Sequence, residues 1–405
     1  MLLRALLLLL AWYTAAPVVD APATAQALPS EPFTFGGGRV VIGGDVAASL
    51  APDDLGFFNY GDYEHSTLRQ IRVGVTGSVR ANSRLSVLGE IRIDNFTEVT
   101  PFAWYARVTP WPERRFDIQI GRVPPTFGTF ARHAYGNENP LIGYPMAYQY
   151  LTSLRTDSVP ANADELLFMR GRGWLSNFGV GNLAPARGLP LVTAFSWDTG
   201  VQVTTGWRAL NVTGSVTNGS AANPRVKDDN GGKQLAARVS VRPTFGLVLG
   251  ASWSRGQFAH RDLIDLTSPP SDRNFMQSAL GADLEYSRDH WLVRADAVLA
   301  EFLIPALAAP FITDPLRALA ISVEGKYAIG PGLYLAARAD HLTFSDIRGS
   351  IAAAEWEAPV TRVEAGGGYY VQRNVVARVT VQVNRREGGR VRESMLPAIQ
   401  LLYWF

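Results

Sequence analysis

About sixteen stretches of this chain alternate apolar and polar residues with period 2, and that repetition constrains the fold more than any other feature. The stretches read 39–49, 67–79, 84–94, 101–110, 115–122, 198–206, 209–217, 234–242, 246–256, 277–287, 291–302, 317–328, 332–343, 359–370, 374–385 and 394–405. Most have a length near the roughly 9–11 residues that a tilted strand needs to cross a bilayer. Ile71, Val73, Val75 and Val79 alternate with Gln70, Arg72, Thr76 and Arg80. Val375, Ala377, Val379, Val381 and Val383 alternate with Arg378, Thr380, Gln382 and Asn384. An arginine facing lipid at mid-depth costs roughly 2–4 kcal/mol, so the charged faces are expected to turn inward. The expected fold is all-β: a transmembrane antiparallel β-barrel of about sixteen strands.

The links between stretches support closure. Tight links fall at Ala81–Ser83, Pro110–Arg114, Trp207–Arg208, Pro243–Phe245, Arg288–His290, Ile329–Pro331 and Val371–Arg373. Longer ones cover 50–66, 95–100, 123–197, 218–233, 257–276, 303–316, 344–358 and 386–393. Short turns on one side and long loops on the other are the asymmetry of a barrel in an outer membrane. An even strand count leaves no open edge. Trp104, Phe116, Trp253, Tyr286, Trp291, Tyr327, Tyr369 and Tyr403 fall on outward positions near segment ends, as an aromatic girdle would. The chain has no cysteine, which excludes disulfides and thiolate metal sites. A net charge of +2 gives no reason to expect nucleic acid as a partner.

The inward faces gather charges of both signs. The positive ones are Arg72, Arg92, Arg107, Arg238, Arg242, Arg294, Lys326, Arg338, Arg362 and Arg378. Against them stand Glu90, Asp94, Asp117, Asp283, Glu285, Asp296, Glu324, Asp340 and Glu364. Several alternate along one strand, as in Glu90-Arg92-Asp94 and Arg338-Asp340, where residues i and i+2 share a face. One reading is a water-filled channel whose patterned field orients small hydrophilic solutes. The other is that the charges satisfy each other and keep the lumen wet.

Both termini carry export signals. Arg4, the apolar run Ala5–Ala16 and the cleavage pattern Ala25-Gln26-Ala27 give residues 1–27 the build of a secretory signal peptide. A short Gly-rich lead-in, 28–38, precedes the barrel, 39–405. The last stretch ends on Tyr403-Trp404-Phe405. It resembles the terminal strand of bacterial outer-membrane barrels, whose final Phe is read by the barrel-assembly machinery. The resemblance implies a Gram-negative outer membrane as location and its lipid as a partner.

The link 123–197 is far longer than an ordinary loop. Its place after the fifth strand is that of the loop which folds inward and narrows sixteen-stranded porins. Its charges Arg122, Arg132, Arg155, Asp164, Glu165, Arg170 and Arg172 are candidate eyelet residues. An extracellular flap packed on neighbouring loops is the alternative.

Gly121-Arg122-Val123-Pro124-Pro125 with Phe127-Gly128, Trp197-Asp198-Thr199-Gly200-Val201-Gln202, and Thr217-Asn218-Gly219 resemble bacterial porins of the phosphate-selective O/P type. That resemblance implies a sixteen-stranded barrel, usually a homotrimer, that conducts anions. The chain departs from the family in its lysines: only Lys227, Lys233 and Lys326 are present, so the lysine ladder for phosphate is missing. Link 95–100 is also short for a latch between subunits.

Two other classes compete. A closed barrel could serve as adhesin, scaffold or receptor through its loops. A barrel hydrolase would need a His with an acid or hydroxyl. The tempting pair Asp340-His341 consists of strand neighbours that point to opposite faces. No enzyme activity, cofactor or metal site is expected. Asp228-Asp229-Asn230-Gly231-Gly232 lacks the acid spacing of a calcium loop and reads as an exposed turn.

Overall fold

The alternating stretches become sixteen long strands. They are β1 Val40–Leu50, β2 Ile71–Arg80, β3 Leu85–Asp94, β4 Glu98–Val108, β5 Phe116–Val123, β6 Asp198–Trp207, β7 Leu210–Thr217 and β8 Gln234–Thr244. They continue as β9 Leu247–Gln257, β10 Met276–Arg288, β11 Trp291–Phe302, β12 Leu316–Gly330, β13 Leu333–Phe344, β14 Val360–Gln372, β15 Val375–Arg386 and β16 Glu393–Trp404. The computed structural model describes residues 28–61, 65–130, 134, 136–267 and 275–405. The leader 1–27 and the candidate Arg132 lie outside the described residues.

Each strand pairs antiparallel with its neighbours in sequence. β1 also pairs with β16, from Asp45↔Trp404 to Leu50↔Ile399, and this closes the sheet. The result is a closed sixteen-strand antiparallel barrel, as the alternation implied. Closure matters energetically, because every strand then has a hydrogen-bonded partner on both sides. Among the described residues no helix is long and apolar enough to cross a membrane.

The pleat sorts the two faces. Val75, Val87, Ile120, Val239, Leu335, Val379 and Leu401 are exposed on the outside, where Trp104, Trp253, Trp291, Tyr327 and Tyr369 join them. Facing inward, Arg338, Arg362, Glu364 and Arg378 are at most 2% exposed.

Three local features depart from the simple pattern. The link after β3, expected as one of the longer loops over 95–100, is a three-residue turn, Asn95–Thr97. Asn95 and Phe96 reverse the chain there in left-handed backbone (φ 50° and 58°). The lead-in also holds structure: Phe33–Phe35 pairs with Val40–Ile42. Gly36, Gly37 and Gly38, all at positive φ, make that hairpin possible, since side chains rarely adopt such backbone. Phe33 then meets the terminal Phe405 edge to face at 5.4 Å. Finally, a β-bulge breaks the β3–β4 register: Glu90 pairs with Ala103, while Ile91 pairs with Pro101. Counting by twos from the outward Trp104 would send Phe102 outward as well. The extra residue turns Phe102 inward, and it is 3% exposed.

The apolar core lies where the long segment between β5 and β6 meets the wall. Phe127, Phe130, Tyr148, Leu154 and Leu191 cluster with Ala279, Val298, Ala300, Phe302, Ala318, Ala320 and Leu342 of β10–β13. Small inward alanines make room for the segment. A Cβ on Gly281 would come within 2.8 Å of the Phe127 ring.

Candidate functional site: the charged inner wall and its cavities

Strand pairing brings the inward charges together more across strands than along them. Arg338 on β13 is the hub: it reaches Glu324 on β12 at 3.2 Å, Glu364 on β14 at 2.7 Å, and Asp340 two residues along at 3.2 Å. Arg294 bridges Glu285 at 2.9 Å and Glu324 at 3.4 Å. Arg238 grips Asp283 with two hydrogen bonds of 2.5 and 2.8 Å. In the first strands Arg72 pairs with Asp94 at 2.8 Å, Arg92 with Glu90 at 2.5 Å, and Arg107 with Asp117 at 3.7 Å.

Other inward residues bind neutral groups. Arg362 donates to Asn384 Oδ1 at 2.7 Å and to the carbonyls of Phe58 and Tyr144. Arg378 donates to the Tyr334 hydroxyl and to Gln400 Oε1, each at 2.8 Å. The Lys326 ammonium sits 4.3 Å from the centre of the Tyr334 ring. Asp296 accepts from the Tyr148 hydroxyl. Arg242 stands apart near the short-turn end of β8, exposed.

The segment after β5 touches these side chains through its backbone and tyrosines. Arg294 donates to the carbonyl of Glu138 at 3.0 Å, Tyr334 to that of Pro140 at 3.0 Å, and Arg378 to that of Gly136 at 2.6 Å. The Gly143 amide donates to Glu364 Oε1 at 3.0 Å. Arg72, from the opposite wall, donates to the Tyr144 hydroxyl at 2.9 Å. A side chain at 143 would not fit: its Cβ would lie 2.5 Å from Glu364 Oε2 and 2.7 Å from Gln382 Nε2.

The loop charges chosen from sequence are occupied otherwise. Arg122 donates to the carbonyls of Trp197 and Pro101. Arg155, 1% exposed, pairs with Asp157 at 2.9 Å and donates to the carbonyls of Ser176 and Ala184. Asp164 accepts from the amide and hydroxyl of Ser350 at 2.8 and 2.6 Å. Glu165 accepts from the Ala161 amide at 2.6 Å, beside the Asn162 cap of a short helix. Arg172 lies over the Phe168 ring at 4.7 Å. Arg170 is half-buried. Arg122, Arg155, Asp164 and Glu165 hold elements in place through these hydrogen bonds, and the wall is met by residues 136–149 together with Phe127, Phe130, Leu154 and Leu191.

The three larger cavities lie mostly along β2–β9. A cavity of 540 Å³ at the long-loop end is lined by Gln70, Arg72, Arg92, Asp94, Phe102 and His260, among others. A second, of 430 Å³, lies against Arg107, Asp117, Gln119, Trp197, Gln202 and Arg238. A third, of 330 Å³, is lined by Arg115, Arg208, Arg238, Arg242, Asp283 and Glu285. Phe102 borders the first cavity and Trp197 the second, with ring centres 5.3 Å apart. The Arg92 guanidinium covers Phe102 at 3.3 Å. These three side chains form the divide. Sequence reading missed Phe102 because a bulge, invisible to counting by twos, aims it.

Among the described residues no group of three or more acids and histidines could hold a metal ion. His341 lies on the outer face, bonded to Thr361 Oγ1 at 2.9 Å, while Asp340 points inward beside Arg338.

Fold and wall together define the architecture of the sixteen-strand outer-membrane porins. No family model and no curated protein matches the sequence. Among solved structures, the anion-selective porin from Comamonas acidovorans has a TM-score of 0.55 at 9% identity, over 90% of this chain and 99% of that one. The outer membrane channel DcaP of Acinetobacter baumannii gives 0.52 at 13% identity, over 93% and 100%. In-vitro folded OmpT of Vibrio cholerae, in a trimer form, gives 0.51 at 12%, over 90% and 99%. At such identities the likeness is one of fold.

Proposed function

We propose that the chain forms a water-filled channel in a bacterial outer membrane, passing small hydrophilic solutes and ions by diffusion, with a preference for anions. One observation carries this reading: cavities of 540, 430 and 330 Å³ line one side of a charged lumen, inside a barrel whose outer face is apolar. An apolar belt matches lipid, and a charged inner wall retains water. The narrow layer is Phe102, Trp197 and Arg92, with residues 136–149 filling the rest of the cross-section. Anion preference rests on Arg115, Arg208 and Arg242 at the short-turn end, which make no ion pair among the described residues, and agrees with the anion selectivity of the Comamonas porin. Kinship with the phosphate-selective O/P type rests on the short motifs alone.

The remaining parts follow the same reading. Residues 1–27 are removed on export, and Tyr403, Trp404 and Phe405 address the barrel to the assembly machinery. A homotrimer is the expected assembly, as in the trimer form of the Vibrio neighbour. The test is single-channel recording in a planar bilayer with a salt gradient. Discrete steps, with a reversal potential of the anion-selective sign, are expected. A silent barrel would favour the second reading, a receptor or adhesin, for which the packing of residues 136–149 across the lumen is the supporting observation. A cation-selective reversal potential would retain the channel and remove the anion preference.

A further inference from the structure

The short-turn rim is electrically lopsided. Along its first half, the ends of β2–β8 and their turns carry Arg80, Arg84, Arg114, Arg115, Arg208 and Arg242; of the acids there, Asp117 pairs with Arg107 at 3.7 Å and Glu113 stands in the turn before β5. Among the described residues none of these six arginines makes an ion pair with a carboxylate. Arg115 donates instead to the carbonyl of Arg208 at 3.2 Å. Arg114 lies over Trp111 at 5.7 Å, and Arg208 over Trp207 at 5.0 Å. The second half balances its charges: Arg288 neighbours Asp289 at 3.7 Å, and Arg373 meets Glu31 at 3.5 Å.

The 330 Å³ cavity opens within the arginine half, bordered by Arg115, Arg208 and Arg242 together with Asn211, Thr213 and Ser240. Its two acids are already engaged, Asp283 by Arg238 and Glu285 by Arg294. At the long-loop end the 540 Å³ cavity differs, because there Arg72 is matched by Asp94 at 2.8 Å. The short-turn mouth therefore has guanidinium charge in excess beside hydroxyl and amide groups, whereas at the other Arg72, Arg92 and Arg187 share the lining with Asp94, Glu98 and Asp157.

We propose that this mouth is a binding site for multivalent oxyanions, such as phosphorylated or polycarboxylate solutes, approached from the short-turn side. The proposal rests on the channel reading for its role in transport, though the site itself is independent of it. Guanidinium groups present paired donors that match phosphate and carboxylate oxygens. Grouped around a recess with low-dielectric walls, they focus the field and concentrate anions at one end of the lumen. Anionic lipid headgroups share this chemistry and could occupy the rim arginines stacked on Trp111 and Trp207. The cavity pair Arg115 and Arg242 is the part that a soluble anion reaches.

Two measurements on the full barrel test this, with inorganic tripolyphosphate as the probe. Calorimetry in a neutral detergent reads the site whether or not the barrel conducts. Binding is expected for the wild type and Arg114→Ala, with at least about a tenfold loss in Arg115→Ala/Arg242→Ala and partial retention in Arg115→Lys/Arg242→Lys. If the double variant folds poorly, Arg242→Ala alone should show a smaller loss in the same direction. Unchanged affinity in the folded variants would overturn the site. In bilayers of neutral lipid, tripolyphosphate should block current from the short-turn side at roughly one-tenth of the concentration needed from the long-loop side. Equal block from both sides would also overturn it. If block is sided in neutral lipid and vanishes when phosphatidylglycerol is added, the mouth binds oxyanions but headgroups displace soluble ones. Absence of any current, with binding intact, would refute the channel and leave the site standing.

Discussion

The arc from β2 to β9 and the arc from β10 to β15 share one sheet and one alternation, yet the larger cavities lie mostly along the first and the segment after β5 packs on the second. The difference lies in inward side-chain size. On the upper part of β10–β13 the inward residues Ala279, Ala300, Ala318 and Ala320 are small and apolar, and the segment after β5 packs on them. On β2–β8 the corresponding faces hold Arg72, Arg92, Arg107, Gln119, Gln202 and Arg238, which border the cavities. A barrel of this width leaves an aqueous channel unless something fills it. Side chains, not the backbone, decide where the filling stops.

The sharpest way to break the comparison is to unpin the filled arc. Arg338 is 1% exposed and holds Glu324, Asp340 and Glu364. Arg338→Ala leaves Asp340 and Glu364 without this cation and Glu324 with Arg294 alone, at an expected cost of about 3–5 kcal/mol. Urea unfolding in detergent micelles measures it. Equal loss from Arg107→Ala, in the open arc at 3.7 Å from Asp117, would erase the distinction. Arg107 is partly exposed, and a pair of that kind contributes about 1 kcal/mol or less.

Gly143→Ala comes next, at about 1–3 kcal/mol for forcing a methyl against Glu364 and Gln382. If the contact of Gly143 with the wall is what seats the segment, this variant also widens the distribution of single-channel currents. Unaltered current and stability would mean that the backbone shifts without cost.

In the open arc the expected effect is on flow, not on stability. Phe102→Ala removes the ring between the two larger cavities, and about a doubling of conductance is expected if this layer limits current. Trp197→Ala should act in the same direction. Conductance unchanged in both would move the constriction elsewhere along the arc.

How much of this was legible in the sequence depends on the range of the interactions involved. All sixteen strands follow from period 2, because lipid outside and water inside impose opposite demands on neighbouring residues at every step. Closure followed from the even count. The side-chain partners did not: Arg294-Asp296 and Arg362-Glu364 share faces, yet Arg294 turns to Glu285 and Glu324, and Arg362 to Asn384. Register across strands, which sets those choices, is not written in any one strand. The long segment was read for its charges, whereas Gly143, Tyr144 and Tyr148 meet the wall. A signal was available in β12, where Ala318-Leu319-Ala320-Ile321 interrupts the alternation with residues apolar on both faces. A strand buried on both sides has that appearance.

The smallest effect concerns pH at the open arc's outer mouth. His260 borders the 540 Å³ cavity and precedes the helix Arg261–Leu266, with its amide donating to the carbonyl of Thr156 at 2.7 Å. Burial, then the nearby Arg225, lowers its pKa from the ordinary 6.5, against Asp157, Asp229 and Asp262, which raise it. The unfolded chain therefore binds more protons than the folded one between the lowered value and 6.5, and stability rises with pH across that window. The contribution is complete above pH 6.5, falls away as pH drops through the window, and changes no further below the folded value. Hydrogen exchange in 257–266 should accelerate as pH falls through that window, after correction for intrinsic rates, while amides of β12 and β13 stay constant. His260→Gln should flatten the dependence. A slope that persists in the variant would show that His260 is not the group responsible.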